Sequence, residues 1–125
     1  MFANQDVIAT IAVRNIDVAR HFYGQILGLK PVDSAEEEVL TYQSGKAQLL
    51  VYVSAFAGTN QATSATWSVG EAFDSIMAAL RAKGVVFERY DMPGMSFKDG
   101  VHANGEFRGA WFKDPDGNIL HVLNQ

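Results

Sequence analysis

The sequence predicts an α+β fold made of two βαβββ modules, and three observations carry that prediction. Ala9-Thr-Ile-Ala-Val13 recurs as Ala65-Thr-Trp-Ser-Val69, and two glycines placed to stop helices, Gly28 and Gly84, lie the same 56 residues apart. One offset shared by strand and helix stop marks an internal repeat. Each copy also begins with a strand-like run and passes into apolar residues at helical spacing. Finally, 125 residues with 48% hydrophobic and 19% charged side chains have the size and composition of one compact domain. Neither module can bury both its helix and its sheet alone. A single domain over 1–125 is therefore expected, with module one at about 6–55, a connector at 56–63 and module two at about 64–124.

The elements follow in order. Residues 7–13 are rich in β-branched side chains and read as a strand. Asn15 or Asp17 can cap the helix that follows, in which Ile16, Ala19, Phe22, Tyr23, Ile26 and Leu27 recur at helical spacing. Gly24 within it costs about 1 kcal/mol relative to Ala, so its last turn is expected to be irregular. Glu36 to Glu38 reads as a solvated charge run, and 39–43 and 47–54 as strands joined across Ser44-Gly45-Lys46. In the second copy Phe73, Ile76, Met77 and Leu80 form the apolar stripe of a helix, with acids in its first turn and bases in its last. Residues 85–90 read as a strand and 91–105 as a loop bearing Gly and Met. Residues 108–112 and 119–123 then form a hairpin across Asp114-Pro115-Asp116-Gly117-Asn118.

Composition excludes several classes of function. No Cys is present, which removes disulfides, thiolate metal sites and a cysteine nucleophile. The net charge of −4 comes without a basic patch, so neither nucleic acid nor a membrane is an expected partner. No apolar run spans a bilayer, and a cytoplasmic location is expected. The sequence has no Gly-rich phosphate loop, no Ser-His-Asp order and no paired catalytic carboxylates, so phosphoryl transfer and hydrolysis gain no support.

Val13-Arg-Asn-Ile-Asp17 leading into His21-Phe-Tyr-Gly24 and Leu27-Gly-Leu29 resembles the opening of the vicinal oxygen chelate superfamily. That superfamily includes glyoxalase I, bleomycin and fosfomycin resistance proteins and extradiol dioxygenases. Trp111-Phe-Lys-Asp-Pro-Asp-Gly-Asn118 followed by Ile119-Leu-His-Val122 resembles its closing hairpin. The resemblance implies paired modules forming a curled, barrel-like mixed sheet around a central cavity, in small members often completed by a homodimer. It also implies metal ligands at four positions, which fall here on Ile8, Ser64, Leu50 (Tyr52 if the register slips by two) and His121. A divalent ion needs nitrogen and carboxylate donors, and only His121 supplies one. No metal and no other cofactor is therefore expected. Glyoxalase and dioxygenase chemistry, both of which use that ion, lose support with it.

Strand alternation places Ile8, Thr10, Ala12, Gln48, Leu50 and Tyr52 on the expected cavity face of module one. Ser64, Thr66, Ser68, Ile119, His121 and Leu123 follow on module two. The lining suits a small-molecule pocket as well as it suits the interior of a small β structure. His121 reads either as a structural histidine or as the residue that bonds a ligand or moves a proton. Tyr52 reads as a donor or a rim residue, Trp111 as a pocket wall or dimer contact, and Trp67 as core. Met92, Met95 and Phe97 read as an adaptable lid or as a loop without a role. The expected function is metal-independent binding of an apolar or aromatic small molecule by Ile8, Leu50, Tyr52, Ser64, Thr66, Trp111 and His121. The alternatives are a metal-dependent lyase, isomerase or dioxygenase with an unusual ligand set such as His102, Glu106 and His121, a metal-free enzyme using His121 as acid and base, and a structural or regulatory dimer whose cavity is filled by its own side chains.

Overall fold

The computed structural model describes residues 1–33 and 37–125, so Glu36 of the expected charge run lies outside the described residues. The chain divides into two compact units, Met1–Ala57 and Gly58–Gln125. In the first, strand β1 (Ala9–Val13) leads into helix α1 (Ile16–Ala19). Asn15 caps the helix, its side-chain oxygen accepting from the N–H groups of Asp17 and Val18, both at 3.0 Å. The helix then widens into a π-helical stretch, Arg20–Ile26. This is the irregularity expected at Gly24, which lies against the Tyr42 ring. Gly28, at φ +73°, ends the segment.

β2 (Lys30–Val32), β3 (Val39–Ser44) and β4 (Ala47–Val53) complete a four-stranded sheet in the order β1-β4-β3-β2. β1 and β4 are parallel and the other pairs antiparallel. One face buries Ile11, Val13, Leu49, Val51 and Tyr42 together with Ala19, Phe22 and Tyr23 from the helical segment. Each such apolar side chain contributes about 1.5–3 kcal/mol by leaving water. The other face carries Thr10, Leu50 and Tyr52 and is more open.

The second unit repeats the opening, with β5 (Thr63–Ser68), a 3-10 turn at Gly70–Ala72 and helix α2 (Phe73–Ala82). Phe73, Met77 and Leu80 are its buried positions, and Gly84 at φ +84° stops it. The expected strand at 85–90 is reduced to one bridge, Phe87 with Phe112. The expected loop at 91–105 instead contains two strands, β6 (Ser96–Lys98) and β7 (Val101–Asn104). Their turn is Asp99-Gly100 with φ values of 52° and 83°, which is the positive-φ pair of a two-residue hairpin. β7 takes the first half of the edge of β8 (Phe107–Lys113), leaving only Trp111 and Phe112 for the 85–90 segment.

β9 (Ile119–Leu123) closes a five-stranded sheet in the order β5-β9-β8-β7-β6. Leu120, Val122, Ala110 and Phe112 are buried on the face shared with α2. Trp67 is half-buried in the same register. Arg108 pins β8 to α2, with its guanidinium over the Phe73 ring and 2.7 Å from Asp74. Among the described residues, no helix is long and apolar enough to cross a membrane.

Candidate functional site

The opposite face of this second sheet carries the most unusual chemistry in the chain. β8 and β9 pair in a register that sets Trp111 directly across from His121. The two rings stack at 4.0 Å between centroids with only 5° between planes. On the far side of the indole, His102 from β7 meets it edge-on at 5.0 Å, and Tyr90 meets it edge-on at 5.8 Å. Phe97 packs against His102 at 4.8 Å. An indole thus sits between two imidazoles in a wall of aromatic rings.

Hydrogen bonding defines what each ring can offer. His102 is fully buried, and its Nε2 accepts the Tyr90 backbone N–H at 3.0 Å. Its own N–H is therefore at Nδ1, which has no partner. His121 is 8% exposed, and its Nε2 also has no partner. The Tyr90 hydroxyl is the third such group. Buried polar atoms are normally satisfied, because each unpaired one costs about 1–3 kcal/mol. Among the described residues four buried side-chain atoms are unpaired, and three of them lie in this cluster. The fourth, the Tyr42 hydroxyl, is in the core of the first unit.

Gly109 makes the arrangement possible. A Cβ there would sit 2.9 Å from His121 Nε2 and 2.9 Å from Phe107 Cζ. Glycine leaves the notch into which the imidazole leans. Gly109 is also the cross-strand partner of His102, so both imidazoles converge on this one position.

Burial, reinforced by the neighbouring His102, pushes the His121 pKa below the ordinary histidine value of 6.5. Burial also raises the Tyr90 hydroxyl, with the Glu88 carboxylate adding to the effect. Because folded His121 binds its proton less readily than unfolded His121, the unfolded chain takes up more protons as pH falls below about 6.5. Full stability is present above that pH and declines through the window beneath it. The urea midpoint is expected to fall between about pH 7.5 and pH 5, and His121→Asn should flatten the decline. An unchanged decline in the variant would assign the acid sensitivity to other groups.

The other residues singled out by sequence are distributed as follows. Thr66 is exposed on β5 opposite His121, on the cluster's face. Ser64 was expected beside it, but the register shifts between Thr63 and Ala65, and Thr63 takes the position opposite Ile119. The Thr63 hydroxyl accepts the Trp111 Nε1–H at 3.2 Å. A one-residue bulge cannot be read from alternation, which is why Thr63 rather than Ser64 takes the register position opposite Ile119. Ile8 precedes β1 and is exposed, while Leu50 and Tyr52 lie on the open face of the first unit's sheet. Glu106 is exposed in the β7–β8 turn. His21 is exposed and bonded to Gln25.

His102, Tyr90 and Gly109 are the members that sequence reasoning missed or set aside. The signal was Asp99-Gly100, which identifies a hairpin and hence assigns His102 to a strand. As to a metal, the positions the fold implies hold Ile8, Ser64, Leu50 and His121, which is one donor among four, and His102 Nε2 is already engaged. Among the described residues no three of His, Cys, Asp and Glu are grouped to hold an ion. This donor set does not fit the ion that such folds use.

The paired βα-plus-sheet units, each with its last strand parallel to its first, define a two-module α+β protein of the vicinal oxygen chelate kind. The family model described as Glyoxalase/Bleomycin resistance protein/Dioxygenase superfamily matches residues 5–122, and the chain belongs to that superfamily. Among solved structures it is similar to a glyoxalase/bleomycin resistance protein/dioxygenase from Alicyclobacillus acidocaldarius, at 19% identity, 96% and 90% coverage of the two chains and a TM-score of 0.71. It is likewise similar to a lactoylglutathione lyase from Agrobacterium tumefaciens, at 15% identity, 96% and 92% coverage and a TM-score of 0.67. A fosfomycin resistance protein from Listeria monocytogenes gives 13% identity, 100% and 93% coverage and a TM-score of 0.68. At these identities the likeness is one of fold. No curated protein matches the chain.

Proposed function

We propose that this chain is a metal-independent small-molecule-binding protein of the glyoxalase/bleomycin-resistance type, which holds an apolar or aromatic ligand against the face carrying Thr66, Trp111 and His121. One observation carries this reading: a flat indole–imidazole stack with the exposed Thr66 opposite His121 on the same face. Planar apolar surface supplies affinity, and a few convergent polar atoms supply orientation. The neutral His121 ring is the group able to bond a ligand or exchange a proton with it. In this reading Thr63, whose hydroxyl accepts the Trp111 Nε1–H, stands where Ser64 was expected. The protein works in the cytoplasm as a homodimer, without nucleic acid or membrane as partner.

The second reading, a metal-dependent lyase, isomerase or dioxygenase, draws on similar folds called a lactoylglutathione lyase and an oxidase. Elemental analysis separates the two. The chain is produced without an affinity tag while Ni, Zn, Mn, Fe and Co are supplied, and its metal content is measured. Well under one ion per chain, with no uptake on titration, is the expected result. About one tightly held ion per chain, lost in His121→Ala, overturns the binding-protein reading and restores the metalloenzyme.

A further inference from the structure

A concave feature lies where the chain leaves Glu88 and before it enters the β6–β7 hairpin. It is a cleft of about 320 Å³ lined by Arg89, Tyr90, Met92, Pro93, Met95 and Phe97, with Asp91 at its lip. Its floor and its roof differ in kind. Tyr90 and Phe97 both rest on the fully buried His102 ring, and His102 Nε2 also holds the Tyr90 backbone N–H, so the floor is fixed. Met92, Pro93 and Met95 belong to the connecting segment, and the two unbranched thioethers can repack around different shapes.

The charge at the mouth selects the occupant. The Arg89 guanidinium lies over the Phe97 ring, 5.2 Å from its centroid. Its one ion-pair contact among the described residues is Asp91, at 3.9 Å from Nε, with side chains 69% and 99% exposed. Such a pair is loose and solvated. The Nη groups have no hydrogen-bond partner among the described residues, which leaves a flat donor edge in the plane that a carboxylate fits. The volume lies at the small end of ligand cavities, enough for one or two rings.

We propose that this cleft is a second binding site, for a small aryl monocarboxylate whose ring lies among Met92, Met95 and Phe97 and whose carboxylate meets Arg89. Tyr90 also packs against Trp111 and Phe97 against His102, so the cleft adjoins that aromatic cluster. Its binding groups Arg89, Met92 and Met95 lie outside the cluster, and the inference does not depend on the function assigned to the Trp111–His121 face.

The four methionines make the test direct. Met92 and Met95 line the cleft, Met77 is buried against the second sheet, and Met1 is at the terminus. The full chain is labelled with ¹³C at the methionine methyls and titrated with 2-naphthoate, then with the neutral 2-naphthamide. Saturable shifts at Met92 and Met95, with Met77 and Met1 unmoved, are expected. Naphthoate should bind about fivefold tighter than the amide, and Arg89→Gln should remove that advantage. Arg89 is exposed, and an unchanged Met77 methyl signal reports that the variant is folded. The proposal fails if Met92 and Met95 do not shift at millimolar naphthoate, or if acid and amide bind alike. It fails equally if Arg89→Gln leaves the preference for the acid over the amide intact, because the carboxylate then meets another group.

Discussion

Gly58→Ala is expected to destabilise the protein by about 3 kcal/mol, a large effect for the addition of one methyl group. Gly58 has φ +73°, and a Cβ built there would lie 1.9 Å from the Asp116 carbonyl oxygen. The obstructing atom is backbone, so no rotamer change relieves the clash. The Asp116 backbone cannot retreat freely, since its N–H is held by Asp114 Oδ1 at 2.9 Å. Gly28 is a fitting control, with the same φ and nothing within 4 Å of its added Cβ. Gly28→Ala should lose only the left-handed strain, about 1 kcal/mol. Urea unfolding of the two variants checks this, and equal losses would mean that strain rather than contact governs both sites.

Asp114→Ala is expected to cost a further value of about 3 kcal/mol, and it bears on the site. Asp114 is 4% exposed. Its Oδ1 accepts the Asp116 and Asn118 N–H groups, both at 2.9 Å, and its Oδ2 accepts Asn118 Nδ2 at 2.8 Å. Removing the carboxylate abandons several donors in the turn that delivers β9 and so sets His121 across from Trp111. Asp114→Asn keeps an acceptor for the backbone groups and exchanges only the one facing Asn118, so its loss should be about 1 kcal/mol. The same ordering should appear in the near-ultraviolet signal of the aromatic side chains. If the two variants lose equal stability, the backbone contacts are not what the carboxylate supplies.

Much of the fold was legible because its signals are local or repeated. The Asn15 cap, the stops at Gly28 and Gly84 and the Phe73, Met77, Leu80 stripe each depend on a few neighbouring residues, and the 56-residue offset ties them into two copies. The misreadings share a cause. The 85–90 segment has strand composition, yet the available edge of β8 is shared with β7, so it forms one bridge. Asp99-Gly100 carried the hairpin signal, but the surrounding glycines and methionines disguised it as a loop. The register opposite Ile119 falls to Thr63 rather than Ser64 because a bulge adds a residue without changing the pattern on either side.

The sequence by itself determined the two-module α+β class and the superfamily. These rest on residue identity and short-range periodicity, which survive without any knowledge of contacts. Only the tertiary structure decided that His102 joins Trp111 and His121, that Gly109 provides the notch between the histidines and that Thr63 bonds the indole. It also decided that polar atoms of both imidazoles are left unpaired. The physical reason is that cross-strand register and desolvation belong to pairs of residues far apart in sequence, and they acquire values only once the strands are aligned.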